Sequence, residues 1–117
     1  MPTFRDKHSF EERKKEAEVI LAKYPCRIPV IVERAQQESN LPEISKYKYL
    51  VPNDMTVSNL LFVLRKKMKL ESSKALFLFV NGNTMVPTSG ILSEIYQKHA
   101  DLDSYLYISY CSENVFG

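Results

Sequence analysis

Apolar positions recur along this chain with two different periods, and each change of period marks an element boundary. Near the N-terminus Phe10, Ala17, Ile20, Leu21 and Tyr24 follow three- and four-residue steps, with Glu11, Arg13, Lys14 and Lys15 between them. That spacing predicts a helix with one side against a core. Its start is set by Ser9 and Glu12, a capping-box pair able to satisfy amide donors reciprocally, and Pro25 stops it at about Tyr24. The period then shortens. Residues 28–33, Ile-Pro-Val-Ile-Val-Glu, are β-branched and predict a strand, with Pro29 near its start, where a missing amide costs least. A polar loop over 36–42 leads to a second strand over 46–51, ended by Pro52, and the two strands predict a hairpin.

Helical spacing returns after Thr56, a candidate cap: Val57, Leu60, Leu61, Leu64 and Met68 form one side, and Arg65, Lys66, Lys67 and Lys69 fall mostly on the other. Residues 75–80, Ala-Leu-Phe-Leu-Phe-Val, predict a buried strand. Asn81-Gly82 directly after it is a strong hairpin signal, with a short return strand through Met85. Pro87-Thr88-Ser89 offers a cap for a brief helix through Ile91, Leu92, Ile95 and Tyr96, and residues 105–110 predict a last strand. Without its N-terminal helices, this order is that of a ubiquitin-like β-grasp. The expected class is α+β: a mixed four-stranded sheet crossed by one helix, with two extra N-terminal helices. The expected organisation is a helical subdomain over 1–25 packed on the body, a β-grasp over 26–111 and a flexible tail over 112–117.

Composition narrows the function classes. A chain of 117 residues with 44% hydrophobic and 26% charged residues suits one globular core and argues against disorder, collagen or coiled coil. The longest apolar runs, 60–64 and 75–80, are far shorter than the roughly 20 residues a spanning helix needs, so membrane contact is expected to come from an added group. The N-terminus has no apolar core of the signal-peptide kind, and a cytoplasmic location is expected. Cys26 and Cys111 match no metal spacing and read as thiols in a reducing compartment. A thiol-imidazole enzyme using Cys26 or Cys111 with His8 or His99 is the catalytic alternative, but neither cysteine carries a nucleophile signature, so no enzyme activity and no cofactor are expected. The net charge is only +2 but unevenly spread: residues 46–74 hold seven basic and two acidic residues, and residues from 91 onward hold one basic and four acidic. This favours particular protein faces over nucleic acid, and no RNA-stacking signature accompanies Tyr47 and Tyr49.

Several segments resemble the autophagy-related protein eight family of ubiquitin-like modifiers: residues 24–35 (Tyr-Pro-Cys-Arg-Ile-Pro-Val-Ile-Val-Glu-Arg-Ala), 48–57 (Lys-Tyr-Leu-Val-Pro-Asn-Asp-Met-Thr-Val), 74–81, 105–110 and the pair Phe116-Gly117. They span nearly the whole chain in order. The resemblance implies that the Gly117 carboxylate is activated as an acyl-adenylate, passed to enzyme thiols and joined to phosphatidylethanolamine, with Phe116 helping tail recognition. Glycine suits this, because it leaves the carbonyl unhindered and threads a narrow channel freely. Two acyl chains would anchor the protein where one is marginal. The implied partners are the activating and conjugating enzymes, a deconjugating cysteine protease, the membrane through the lipid, and cargo receptors and adaptors bearing aromatic-x-x-aliphatic motifs. A lipidated pool is expected on autophagosome membranes; an unconjugated adaptor in vesicle or microtubule-linked trafficking is the alternative.

The resemblance also implies a peptide groove along residues 48–51, read as an edge strand able to pair with an extended partner. An aromatic pocket would use Glu16, Ile20, Pro29, Lys48, Leu50 and Tyr105. An aliphatic pocket would use Tyr49, Val51, Met55, Leu60 and Val63. Lys46 would also belong to the groove, with Arg65, Lys66 and Lys67 as its basic rim. By position alone, the basic set Lys46, Lys48, Arg65, Lys66 and Lys67 is either a solvated face or, beside the groove, a field that steers acidic residues flanking a partner's motif, and steering is the expectation. The chain departs from the family pattern at Ser9, Leu60 and Tyr105, where a proline, an aromatic and a phenylalanine are usual.

Overall fold

A computed structural model describes residues 2–112. The elements are α1 (Phe4–Lys7), α2 (Phe10–Lys23), β1 (Arg27–Arg34), β2 (Lys48–Pro52), α3 (Val57–Met68), β3 (Phe77–Val80), β4 (Thr84–Met85), α4 (Leu92–His99) and β5 (Leu106–Cys111). The strands form one sheet in the order β2-β1-β5-β3-β4. Its central pair, β1 and β5, is parallel, while β2, β3 and β4 pair antiparallel, so the sheet is mixed as expected. The sheet has five strands where four were expected, because the short return strand expected through Met85 pairs in it as β4.

Helix α2 starts where the capping box places it: Ser9 Oγ accepts from Glu12 N at 3.2 Å, and Glu12 Oε1 accepts from Ser9 N at 2.8 Å. Its stripe is less buried than the spacing implies. Ala17 is fully covered and Ile20 and Leu21 half-buried, but Phe10 and Tyr24 remain 42% and 38% exposed. Helix α1 has its own capping box, Thr3 with Asp6, a signal present in the sequence but masked by its four-residue length.

Helix α3 packs Val57, Leu60 and Leu64 into the main core with Ile28, Val30, Val32, Tyr49, Val51, Leu106 and Ile108. On the opposite sheet face a smaller cluster joins Phe4, Ala17, Ile31, Tyr105 and Tyr107. Alternation of strand side chains explains the split, since Val30 and Val32 face one layer and Ile31 the other. The β3–β4 turn places Asn81 at φ 53° and Gly82 at φ 76°, the left-handed pair that an Asn-Gly hairpin requires.

The expected cap of α4 by Thr88 or Ser89 does not form. Ile91 is the N-cap and makes no side-chain cap bond. Instead the first two amides of α4, Leu92 and Ser93, donate to the carbonyls of Met55 and Asn53, while those of α3, Val57 and Ser58, donate to Gly90 and Thr88. The two helix starts satisfy each other through backbone. Gly90 suits the tight turn before α4, where a Cβ would stand 3.1 Å from both the Pro87 carbonyl and Ile95 Cδ1.

Candidate functional site

β2 lies at the edge of the sheet, and its hydrogen-bonding phase can be read from the flanking rungs. Val32 N donates to Tyr47 O at 2.8 Å and Asn53 N to Cys26 O at 3.1 Å, so odd-numbered β2 positions exchange bonds with β1. The amides and carbonyls of Lys48 and Leu50 therefore point away from the sheet. The Leu50 carbonyl accepts from Arg27 Nη1 at 3.1 Å, a contact that the sequence reading missed.

The side chains divide as alternation expects. Toward α2, Glu16 accepts from Lys48 Nζ at 2.8 Å and from the Tyr105 hydroxyl, beside half-buried Ile20 and Leu50 and buried Pro29. Burial works against the Glu16 carboxylate, but the bonds from Lys48 and Tyr105 outweigh it and hold its pKa below the usual value. Burial, and then the bond to Glu16, push the Tyr105 phenol well above the ordinary tyrosine range. The extra hydroxyl of this position thus finds an acceptor on α2 and ties the helix to the residue just before β5.

Toward α3, Tyr49, Val51 and Leu60 are 7%, 5% and 1% exposed and belong to the main core. They can form only the floor of a pocket, while Met55 and Val63 are half-buried and nearer solvent. The Tyr49 hydroxyl is buried with no hydrogen-bond partner among the described residues; burial, and then the neighbouring Tyr110 phenol, raise its pKa.

The basic residues do not act as one group. Lys46 and Lys67 line the same cavity of about 440 Å³, together with Glu43 and Lys69. Lys46 Nζ also sits 5.1 Å from the centre of the Tyr49 ring. Lys66 lies over exposed Phe62 at 5.0 Å. Arg65 turns elsewhere and staples the loop after α3, donating to the carbonyls of Glu71 at 2.8 Å and Lys74 at 2.7 Å. Phe116 and Gly117 lie outside the described residues. Among the described residues, no helix is long and apolar enough to cross a membrane.

A mixed sheet with a parallel central pair and one helix across its face defines a ubiquitin-like protein. The family described as "Autophagy protein Atg8 ubiquitin like" matches residues 12–117, and this chain belongs to that family. The chain is similar to Autophagy-related protein 8 of Kluyveromyces lactis, 51% identical over 114 residues covering 97% of this chain and 90% of the relative. It is also similar to Autophagy-related protein 8 of Mycosarcoma maydis, 50% identical over 97% of this chain and 95% of that one. Autophagy-related protein 8d of Arabidopsis thaliana is 50% identical over 98% and 94%. It is a ubiquitin-like protein of autophagy.

Proposed function

We propose that this protein works as a membrane-attached recruiter: Gly117 is joined to phosphatidylethanolamine, and the β2 edge binds extended peptides carrying an aromatic-x-x-aliphatic motif. The observation that carries the recruiting half is the outward-facing backbone of Lys48 and Leu50, which offers main-chain pairing to a peptide strand. Its flanks differ usefully. One side of the edge ends in half-buried Leu50 and Ile20 near a Glu16–Lys48 ion pair, and the other in half-buried Met55 and Val63 over a core floor. An aromatic anchor suits the first side and an aliphatic anchor the second, with Lys46 and Lys67 raising the encounter rate of acidic-flanked partners.

The conjugating half is supported by family membership with a match that runs to residue 117. ATP activates the Gly117 carboxylate as an acyl-adenylate with release of pyrophosphate, and an enzyme thiol displaces AMP to form a thioester. The phosphatidylethanolamine amine then attacks that carbonyl, losing a proton as the thiol leaves. A cysteine protease reverses the final amide. The product holds the protein on autophagosome membranes, with the unconjugated pool in the cytoplasm.

Incubation with the activating and conjugating enzymes, ATP and phosphatidylethanolamine vesicles should raise the intact mass by one lipid less water, and Gly117→Ala should abolish the shift. An unchanged mass for the parent, with peptide binding retained, would leave the unconjugated adaptor as the function. Leu50→Ala should weaken motif peptides by roughly tenfold, about 1.4 kcal/mol, through lost apolar contact. Unaltered titration curves for this folded variant would remove the groove from β2.

A further inference from the structure

Where β5 ends, its last rung is made by a side chain in place of backbone. Ala35 N donates to Tyr110 O at 2.9 Å, so the next rung of a regular parallel ladder would join the Ser112 amide to the Ala35 carbonyl. That carbonyl accepts instead from Glu38 N at 3.0 Å, because the chain turns away after β1. The Glu38 carboxylate takes over. Its Oε1 accepts from Ser112 N at 2.7 Å, and the Ser112 hydroxyl donates to both carboxylate oxygens at 3.1 and 3.0 Å. Asn40 N donates to Oε2 at 2.8 Å, which fixes the carboxylate from its own loop. Glu38 is 8% exposed, one of two buried charged residues among those described. Burial opposes its charge, but the donors from Ser112, Asn40 and Leu41 outweigh it and hold its pKa below the usual glutamate value.

A buried carboxylate is costly unless several donors meet it, and here the Ser112 amide and hydroxyl, from the residue that precedes the conjugation segment, are among the donors that meet Glu38. We propose that Glu38 is a positioning residue for the C-terminal segment: it clamps Ser112 and so fixes the point and direction from which residues 113–117 leave the body. This rests on the reading of Gly117 as the conjugated residue. Five residues beyond the clamp reach at most about 17 Å, so an enzyme that engages both the body and Gly117 meets a tethered end confined to a small volume. Releasing the clamp frees Ser112, and ordering it again falls on the binding step.

The test compares Glu38→Ala and Ser112→Pro with the parent, each as the full chain. Pyrophosphate exchange by the activating enzyme reads KM and kcat, and backbone amide hydrogen exchange reads the clamp. Either variant should raise KM roughly three- to tenfold with kcat unchanged, and the double variant should add nothing further. Glu38→Ala should speed exchange of the Ser112 amide at least tenfold while Leu106 and Ile108 stay protected. Glu38→Gln keeps one carbonyl acceptor and should recover part of the KM. If Glu38→Ala also loosens Ile108, Ser112→Pro, which leaves Glu38 in place, decides the KM comparison. An unaltered KM beside faster Ser112 exchange overturns the positioning role, and unaltered Ser112 exchange overturns the clamp. A parent protein that supports no pyrophosphate exchange overturns the reading of Gly117 instead, while Ser112 exchange still reports on the clamp.

Discussion

On its α3 face the sheet is covered by aliphatic side chains packed without direction: Leu60, Leu64, Val30, Val32, Leu106 and Ile108 are at most 2% exposed. The α1–α2 face carries a smaller apolar cluster and leans on directed contacts. Arg13 donates to Asp103 at 2.6 Å, with Asp103 fully buried and also accepting from the Tyr107 hydroxyl at 2.5 Å. Burial and then the bond to Asp103 push the Tyr107 phenol up to about 12. Arg5 stacks 4.0 Å from the Tyr107 ring while pairing with Asp101, and Glu33 accepts the first amide of α1 at 2.8 Å. Area-driven packing tolerates small displacements, but a hydrogen-bonded ion pair is lost when its geometry is lost. One face therefore sets the fold's stability, and the other sets how firmly the N-terminal helices are fastened.

The largest expected effect tests the first half of that contrast. Leu64→Ala should cost about 2–5 kcal/mol in denaturant unfolding, as a fully buried side chain at the α3–sheet contact. Arg13→Ala should cost about 1.5–3 kcal/mol by leaving the buried Asp103 carboxylate without its cation, though still bonded to Tyr107 and the Tyr105 amide. Its effect should be local, with amide exchange faster in α2 and little changed in α3. Equal acceleration on both faces would mean that the two layers open as one unit and the contrast has no energetic meaning.

Acid provides the smallest and most selective probe. Glu16 and Glu38 sit below the usual glutamate value of 4.5, so the stability they contribute is complete above that value and is lost as pH falls through their lower folded values. Exchange in α2 should therefore rise below pH 4.5 before exchange in α3. Glu16→Gln should flatten that rise at a cost below about 1 kcal/mol at neutral pH, since the Glu16–Lys48 pair is partly in water. A variant with the parent's acid profile would place the sensitivity elsewhere.

Much of the α3 face was legible from the sequence, because burial there follows periodicity. Val57, Leu60 and Leu64 announce both a helix and the side it buries, and Asn81-Gly82 announces its turn by the φ values it alone tolerates well. The opposite facing of Lys48 and Tyr49 also followed from alternation, whereas the edge position of β2 was expected from the resemblance and is seen in the strand order. What escaped depends on partners distant in sequence. Arg65 read as one more rim cation until its guanidinium was found on the carbonyls of Glu71 and Lys74. Tyr49, Val51 and Leu60 carried equal apolar weight with Met55 and Val63, and only packing separates floor from wall. Glu38 stood unmarked in a polar loop, with nothing in its neighbours to foretell Ser112.

The reciprocal backbone bonds between the starts of α3 and α4 have a practical consequence for anyone mapping this protein by mutation. Met55, Asn53, Gly90 and Thr88 contribute carbonyl oxygens there, and every amino acid supplies one. An alanine scan across the junction would thus report only side-chain losses and pass over the main-chain bonds that seat both helices. Chemistry that edits the main chain, such as an ester in place of the Leu92 amide, is the tool that would make this joint visible.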